Sequence, residues 1–181
     1  MVRIFPLIFI LLWSSAFITT KPIIDNSDPF SALAFRFSIV ALGFYLFSIY
    51  SQQKILVNTK NIIESFFSGV LFHGLYLGGV FFSISKGMPT GIAALIVTLQ
   101  PILTNALSGP ILNEKVTVKQ WLGVILGFTG ATIVLGFDIG SNIPMIGLVA
   151  TVIALIAITT STIWQKKLSN NLPLSVSNMY Q

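Results

Sequence analysis

Apolar residues fill most of the chain in long runs, and short polar stretches separate these runs. A helix that crosses a bilayer needs about 20 mostly apolar residues. Six runs are long enough to predict complete transmembrane helices, and a seventh begins near Pro173 and continues to Gln181. The predicted spans are Ile4–Thr20, Pro29–Tyr50, Ile62–Ser85, Gly91–Leu112, Val118–Phe137 and Met145–Trp164. The pattern predicts an all-α integral membrane protein.

The polar stretches carry signals for the ends of helices. Asp28 precedes Pro29, which places an N-cap residue before a proline at the first helical position. Thr117 and Gln120 have the spacing of a capping box. The stretches DNSD, KGMPT and GSNIP are short and rich in turn-forming residues. We therefore expect tight connections between the helices.

The first apolar run has two interpretations. One basic residue, an apolar segment and the small residues Ser14-Ser15-Ala16 are also typical of a cleavable signal peptide. Because apolar spans continue along the rest of the chain, we favour a first transmembrane helix.

The amino-acid composition excludes several classes of protein function. The chain is 54% hydrophobic and 8% charged, whereas soluble domains carry about 25% charged residues.

The formal charge is +5, but Lys166-Lys167 is the longest run of cations, so we expect no nucleic-acid partner. The absence of cysteine excludes disulfides, thiolate catalysis and Cys-ligated metals. No cofactor is predicted.

The basic residues favour one orientation in the membrane. With a cytoplasmic N-terminus, seven basic residues lie on the inner side and two on the outer side, as the positive-inside rule requires. The inner residues are Arg3, Lys54, Lys60, Lys115, Lys119, Lys166 and Lys167, and the outer ones are Lys21 and Lys86. The prediction is a multi-pass protein of the plasma or inner membrane.

A shift of 144 residues aligns the chain with itself. The identical pairs are Leu11 with Leu155, Asn26 with Asn170, Pro29 with Pro173 and Ser31 with Ser175. Five predicted spans separate the copies, and an odd number reverses the orientation, as in inverted repeats. A full second copy would extend roughly 100 residues past Gln181. We expect a fragment or a truncated gene product, or else a second chain that supplies the missing half.

Four segments resemble one transporter family. LLWSSAF is similar to its LLWGSAF-like opening, SALAFRF to its LALRF segment, and ISKGMPTGIAALIVTLQPILT to the segment that joins helices 3 and 4. NEKVTVKQWLGVILGFTGATIVL is close to the pattern GE(R/K)-x-(T/S)-x-x-QW-x-G-x-x-x-G-x-x-G. The chain resembles the EamA-type transporters of the drug/metabolite transporter superfamily.

The resemblance implies a ten-helix fold of two inverted repeats with both termini cytoplasmic. It implies transport of small metabolites, often export, by alternating access. Residues 1–140 correspond to the first five-helix repeat and residues 141–181 to the beginning of the second. The chain departs from the family chiefly in its length.

Six residues are candidates for a substrate path near the middle of the membrane: Trp13, Ser14, Arg36, His73, Tyr76 and Gln100. All but Tyr76, which shares a helix face with His73, also have a structural interpretation. Trp13 is suited to contact lipid, and Ser14 to return a hydrogen bond to its own helix. A single histidine makes neither a metal site nor a triad, so His73 is either a packing residue or a contact for substrate or proton. Gln100 precedes Pro101, which is expected to kink the helix, and Gln100 also suits helix–helix contact.

Arg36 interrupts the apolar run LAFRFSIV. By its place in the helix, Arg36 lies about 10 Å from the outer end of the second span. It can extend outward to Asp25, Asp28 or the end of the first helix, or it can face a cavity and attract an anionic substrate. Glycines at four-residue spacing, Gly74/Gly78 and Gly123/Gly127, are interpreted as helix-packing residues.

The favoured function is a carrier for small organic metabolites. A P-loop motif is absent from the sequence, and no constellation of catalytic residues predicts an enzyme. The alternative is a membrane interaction or assembly subunit, or an inactive truncated product, that transports nothing. The expected partners are a small-molecule substrate, the lipid bilayer, and a second copy or second half-transporter chain.

Overall fold

The structure, a computed structural model, describes residues 4–112, 117–135, 143–168 and 172–181. These residues are helical between short turns and contain no β-strand. The helices are α1 (Phe5–Asn26), α2 (Pro29–Tyr50), α3 (Thr59–Gly69), a π-helical segment (Val70–Leu77), α4 (Gly78–Ser85), α5 (Thr90–Val97), α6 (Gln100–Leu112), α7 (Val118–Leu135), α8 (Met145–Leu168) and α9 (Leu174–Tyr180). The all-α prediction is confirmed.

Five helical stretches of the described residues are long and apolar enough to cross a membrane. They are Leu7–Asn26, Pro29–Tyr50, Thr59–Ser85, Thr90–Leu107 and Met145–Leu168. The predicted span Val118–Phe137 corresponds to α7, and its last two residues lie outside the described ranges. Six complete spans and a ten-helix fold therefore remain predictions.

Two predicted helix caps are confirmed. The Oδ1 atom of Asp28 accepts a hydrogen bond of 2.8 Å from the backbone N–H of Ser31 in the first turn of α2. The backbone N–H of Thr117 donates to Oε1 of Gln120 over 2.8 Å, and the backbone N–H of Gln120 donates to Oγ1 of Thr117 over 3.3 Å. These bonds satisfy donors that a helix start otherwise leaves unpaired.

The predicted end of the first helix was wrong. α1 continues past Thr20 to Asn26, so the stretch DNSD contributes only Ser27 and Asp28 to the connection. The side chains of Asn26 and Ser27 donate to the carbonyl oxygens of Pro22 and Ile23, which satisfies acceptors at the helix end. Lys21 and Asp25 pair at 2.7 Å one turn apart and add support.

The other predicted connections have different outcomes. KGMPT forms a turn between α4 and α5, in which Gly87 has φ of +89°, a conformation that favours glycine. In GSNIP, residues 140–142 lie outside the described ranges. Ile143 and Pro144 precede α8.

α8 packs antiparallel along the helix that α3, the π-helical segment and α4 form together. Near one end, the hydroxyls of Ser68 and Ser161 lie 3.1 Å apart. Near the other end, Ser83 lies 2.7 Å from the Thr151 hydroxyl and donates to the Gly147 carbonyl over 2.8 Å. We call this buried contact the α8 seam.

Two glycines allow the close approach of helices in the α8 seam. A Cβ atom on Gly79 would lie 3.2 Å from the Ala150 carbonyl oxygen, and one on Gly147 would lie 3.1 Å from the Met88 Cβ. The glycines predicted to pack helices are mostly elsewhere. A Cβ on Gly74, Gly123 or Gly127 would meet no described atom within 4 Å, whereas Gly78 lies against Phe30. Spacing therefore identified Gly78 but not Gly79 or Gly147.

The apolar core lies beside the seam. Tyr76, Val80 and Ile84 from the π-helical segment and α4 pack against Ala154 and Ile158 of α8, and all five are buried. Trp13 and Phe17 of α1 pack against the edge of this cluster. The core therefore connects the seam to the inner face of α1.

Candidate functional site

Two adjoining cavities lie between α1 and the packed helices. The first has a volume of about 310 Å³ and lies between α1, α2, the π-helical segment and α4. The second has about 600 Å³ and lies between α1, the π-helical segment, α5, α6 and α8. Four aromatic side chains line both cavities and are called the aromatic partition: Phe9, Trp13, Phe17 and Phe72.

The structure places all six sequence-predicted candidates in these linings. Arg36, His73 and Tyr76 line the first cavity, Ser14 and Gln100 line the second, and Trp13 lines both. Residues from four separate helical stretches thus converge on one region. Their binding of substrate stays a prediction.

Arg36 faces the first cavity without the partners expected for it. Asp25 pairs with Lys21, and Asp28 caps α2. The guanidinium carbon of Arg36 lies 5.9 Å from the ring centre of Phe37. Within the described residues Arg36 makes no ion pair or hydrogen bond, so the expected contact with an outer aspartate is not observed.

The π-helical segment positions His73 and Tyr76. His73 packs between Phe37 and Phe72, with ring centres 4.2 and 5.1 Å away. Its Nδ1 atom is buried and has no hydrogen-bond partner among the described residues. Tyr76 is 2% exposed. π-helical turns occur frequently at functional sites, and the sequence pattern did not reveal this one.

The predicted interruption near Gln100 and Pro101 is confirmed. α5 ends at Val97 and α6 begins at Gln100, because Pro101 has no N–H to bond to the Val97 carbonyl. The Gln100 amide donates to the Thr162 hydroxyl of α8 over 3.1 Å while the residue also lines the second cavity. Gln100 therefore joins two helices at the cavity wall.

The aromatic partition was not predicted, apart from Trp13. Phe9, Trp13 and Phe17 are four residues apart and share one face of α1, and the rings of Phe9 and Trp13 lie 5.4 Å apart. The spacing was visible in the sequence. It was not distinctive there, because most positions in this helix are apolar.

No group of His, Asp or Glu residues within the described ranges could hold a metal ion. The polar groups of the cavities are a guanidinium, an imidazole, a phenol, hydroxyls and an amide. Such groups bind and orient a solute by charge and hydrogen bonds.

Comparison with known proteins decides the family. Residues 3–136 match the EamA-like transporter family. The chain belongs to this family. The resemblance of LLWSSAF and the other three segments is thereby confirmed, and the EamA-like chain is a multi-pass membrane protein of a transporter family rather than a member of an enzyme family.

Two relatives share the name "Probable amino-acid metabolite efflux pump". The Salmonella typhimurium protein is 24% identical over 168 residues, which are 92% of this EamA-like chain and 54% of the relative. The Escherichia coli protein is 24% identical over 166 residues, which are 91% of this chain and 53% of the relative.

A third relative is the "Uncharacterized transporter YdfC" of Bacillus subtilis. It is 28% identical over 128 residues, which are 68% of the EamA-like chain and 40% of the relative. The chain spans about half the length of the curated relatives it matches first. No solved structure matches it significantly.

Proposed function

We propose that this EamA-like chain forms the solute path of a membrane transporter that exports small organic metabolites. The observation that carries the proposal is the pair of adjoining cavities at the aromatic partition, where all six candidate residues meet. The family and the names of two relatives support the class of solute, metabolites related to amino acids. Trp13, Ser14, Arg36, His73, Tyr76 and Gln100 contact the solute or shape its path.

Alternating access requires a path whose walls move. Two irregular stretches border the cavities: the break between α5 and α6, and the π-helical segment. Irregular backbone in membrane helices often lies beside transport sites. In the proposed mechanism these stretches adjust as one repeat rocks against the other.

The proposed topology follows the basic residues and the internal repeat. Residues 1–140 form the first repeat, and residues 141–181 begin a second one of opposite orientation. The N-terminus lies in the cytoplasm, and the cell membrane is the location. The remainder of a ten-helix unit comes from further sequence, a second copy or a second half-transporter chain.

Counterflow in proteoliposomes tests transport. The purified chain is reconstituted and loaded with an unlabelled amino acid or its 2-oxo acid, and uptake of the same radiolabelled solute is measured across a panel. We expect solute-dependent uptake for at least one member. Phe72→Ala should reduce uptake because it removes a ring of the aromatic partition.

Phe66→Ala is the matched control. Phe66 lies on α3, is 62% exposed and lines neither cavity. Uptake should persist in this variant. If folded, reconstituted chain shows no counterflow with any member of the panel, the transport proposal fails and the assembly-subunit alternative is favoured.

A further inference from the structure

Arg36 is an exposed residue that lines the first cavity, and none of the described residues balances its positive charge there. A guanidinium carries five N–H donors, and within the described residues none of them meets a carboxylate or a carbonyl. No Asp, Glu or Lys occurs among the described residues that line this cavity. The cavity therefore favours a negative group beside Arg36.

The rest of the first cavity suits an apolar body. Trp13, Phe17, Phe37 and Phe72 present aromatic rings to it. A volume of about 310 Å³ accommodates one ring or a short branched chain with its head group. The lining therefore combines one cationic point with apolar walls.

Among the described residues, the lining of the second cavity has no acidic side chain that could pair with an ammonium group. Its polar side chains are neutral hydroxyls and one amide: Ser14, Thr98, Gln100 and Thr162. A zwitterionic amino acid placed at Arg36 would leave its ammonium among aromatic rings and neutral groups. Aromatic rings attract an ammonium, but more weakly than a carboxylate does, so removing it from water here remains unfavourable.

We propose that the first cavity binds a small organic monoanion, with its carboxylate on Arg36 and an aromatic or branched apolar body against the aromatic partition. A guanidinium can donate two parallel hydrogen bonds to one carboxylate, which makes the pairing specific. The cavity selects such acids over zwitterions and excludes amines. This inference names the substrate class of the site in the proposed function and rests on it for transport, whereas binding can be measured separately.

Trp13 provides a direct readout because it lines the cavity. Replacing Trp121 and Trp164 by Phe leaves Trp13 as the single tryptophan. Four ligands share a phenyl ring and differ in charge: 3-phenylpropionate, phenylalanine, phenethylamine and 3-phenylpropanol. We expect 3-phenylpropionate to change Trp13 fluorescence at a concentration about tenfold lower than phenylalanine or the alcohol, and phenethylamine to have no saturable effect.

The variants test the role of Arg36. Arg36→Gln should bring 3-phenylpropionate to the level of the alcohol, and Arg36→Lys should retain part of the preference. Lys86→Gln is the matched control. The Lys86 ammonium lies 5.4 Å from the Phe82 ring centre, a cation–π contact like that of Arg36 with Phe37, but Lys86 lines neither cavity. It should leave binding unchanged.

Lipid phosphate is the other source of an oxyanion near Arg36, so binding is measured both in maltoside micelles and in phosphatidylcholine vesicles. The proposal requires the same order of ligands in both. Binding of 3-phenylpropionate in micelles alone would assign Arg36 to lipid and overturn the proposal. Equal binding of phenylalanine and 3-phenylpropionate by the protein with native Arg36 would also overturn it, whether or not Arg36→Gln folds.

The transport proposal and the proposed preference for acids would be overturned by different results. Counterflow of amino acids without a preference for the acid would overturn the inference and leave the transporter standing. A preference for the acid in Trp13 fluorescence without counterflow of any solute would support the binding site and overturn the transporter.

Discussion

α1 and α8 occupy equivalent places in the predicted internal repeat, yet their surroundings differ. Both are apolar helices of membrane-spanning length, and the 144-residue shift aligns Leu11 of α1 with Leu155 of α8. In the most apolar part of each helix, 6% of the α1 residues and 50% of the α8 residues are buried within the chain. Similar hydropathy has therefore produced a peripheral helix and a central one.

Side-chain size and hydroxyl groups account for the difference. α8 buries Gly147, Thr151 and Ser161 in its seam, whereas α1 presents Phe9 and Trp13 to the cavities. Lipid is as apolar as leucine, so hydrophobicity does not drive one membrane helix onto another, and close packing and hydrogen bonds decide. The looser packing of the bulky side leaves the space that forms the cavities.

The largest loss of stability is expected from a substitution at a close helix contact of the α8 seam. Gly147→Leu should destabilise the fold by about 1–3 kcal/mol or more, because its side chain would press on Met88 and on the Ser83 carbonyl oxygen. Gly43→Leu in α2 is the control, since a Cβ there meets no described atom within 4 Å. Thermal unfolding of the purified protein in detergent measures both variants. Equal unfolding temperatures for Gly147→Leu and Gly43→Leu would show that the α8 seam does not hold α8 in the centre.

A smaller loss of stability is expected from removing one hydroxyl from α8, and almost none from removing one from α1. Thr151 of α8 lies 2.7 Å from the Ser83 hydroxyl, whereas the exposed Thr19 of α1 donates only to carbonyls of its own helix. Thr151→Val should cost about 1 kcal/mol of unfolding free energy, and Thr19→Val should change it little. The same melting assay compares them. A larger loss at Thr19 would contradict the contrast between the helices.

The smallest effect is expected at the exposed turn between α1 and α2. Hydrogen bonds from Ser31 lower the pKa of the Asp28 carboxyl below its ordinary value of 3.8. A lowered pKa in the folded state means that the charged cap stabilises α2 above that value, and that this contribution disappears as the pH falls through the lowered pKa. Asp28→Asn keeps a capping side chain but loses the charge.

The melting temperature of this EamA-like chain should therefore slightly exceed that of Asp28→Asn at neutral pH. The two should converge as the pH falls below 3.8. A constant difference across this range would assign the effect to the shape of the side chain rather than its charge.

The parts of the fold that could be predicted were those with a local chemical signal. Apolar runs located the membrane helices, and the side chains of Asp28 and of Thr117 with Gln120 marked two helix starts correctly. The end of α1 was misplaced because the apolar run ends before Lys21, although the helix continues through Lys21 and Pro22 to Asn26. The π-helical segment had no signal, since a uniformly apolar sequence does not reveal which backbone groups bond to each other.

The candidate site could be predicted in part for the same reason. Polar residues in apolar spans are conspicuous, so Arg36, His73 and Gln100 were found, and all three line the cavities. Phe17 and Phe72 were missed because their importance depends on tertiary position, which residue type does not encode. The missing ion pair of Arg36 was equally hidden, because both expected partners had local alternatives in Lys21 and Ser31.

The π-helical segment is held at both ends. Ser68 lies just before it and meets Ser161, and Ser83 lies beyond it and meets Thr151. Between these two contacts, a change in the number of residues per turn alters the rotation of the helix about its axis. Such a change must either be absorbed between Ser68 and Ser83 or break one of their contacts with α8.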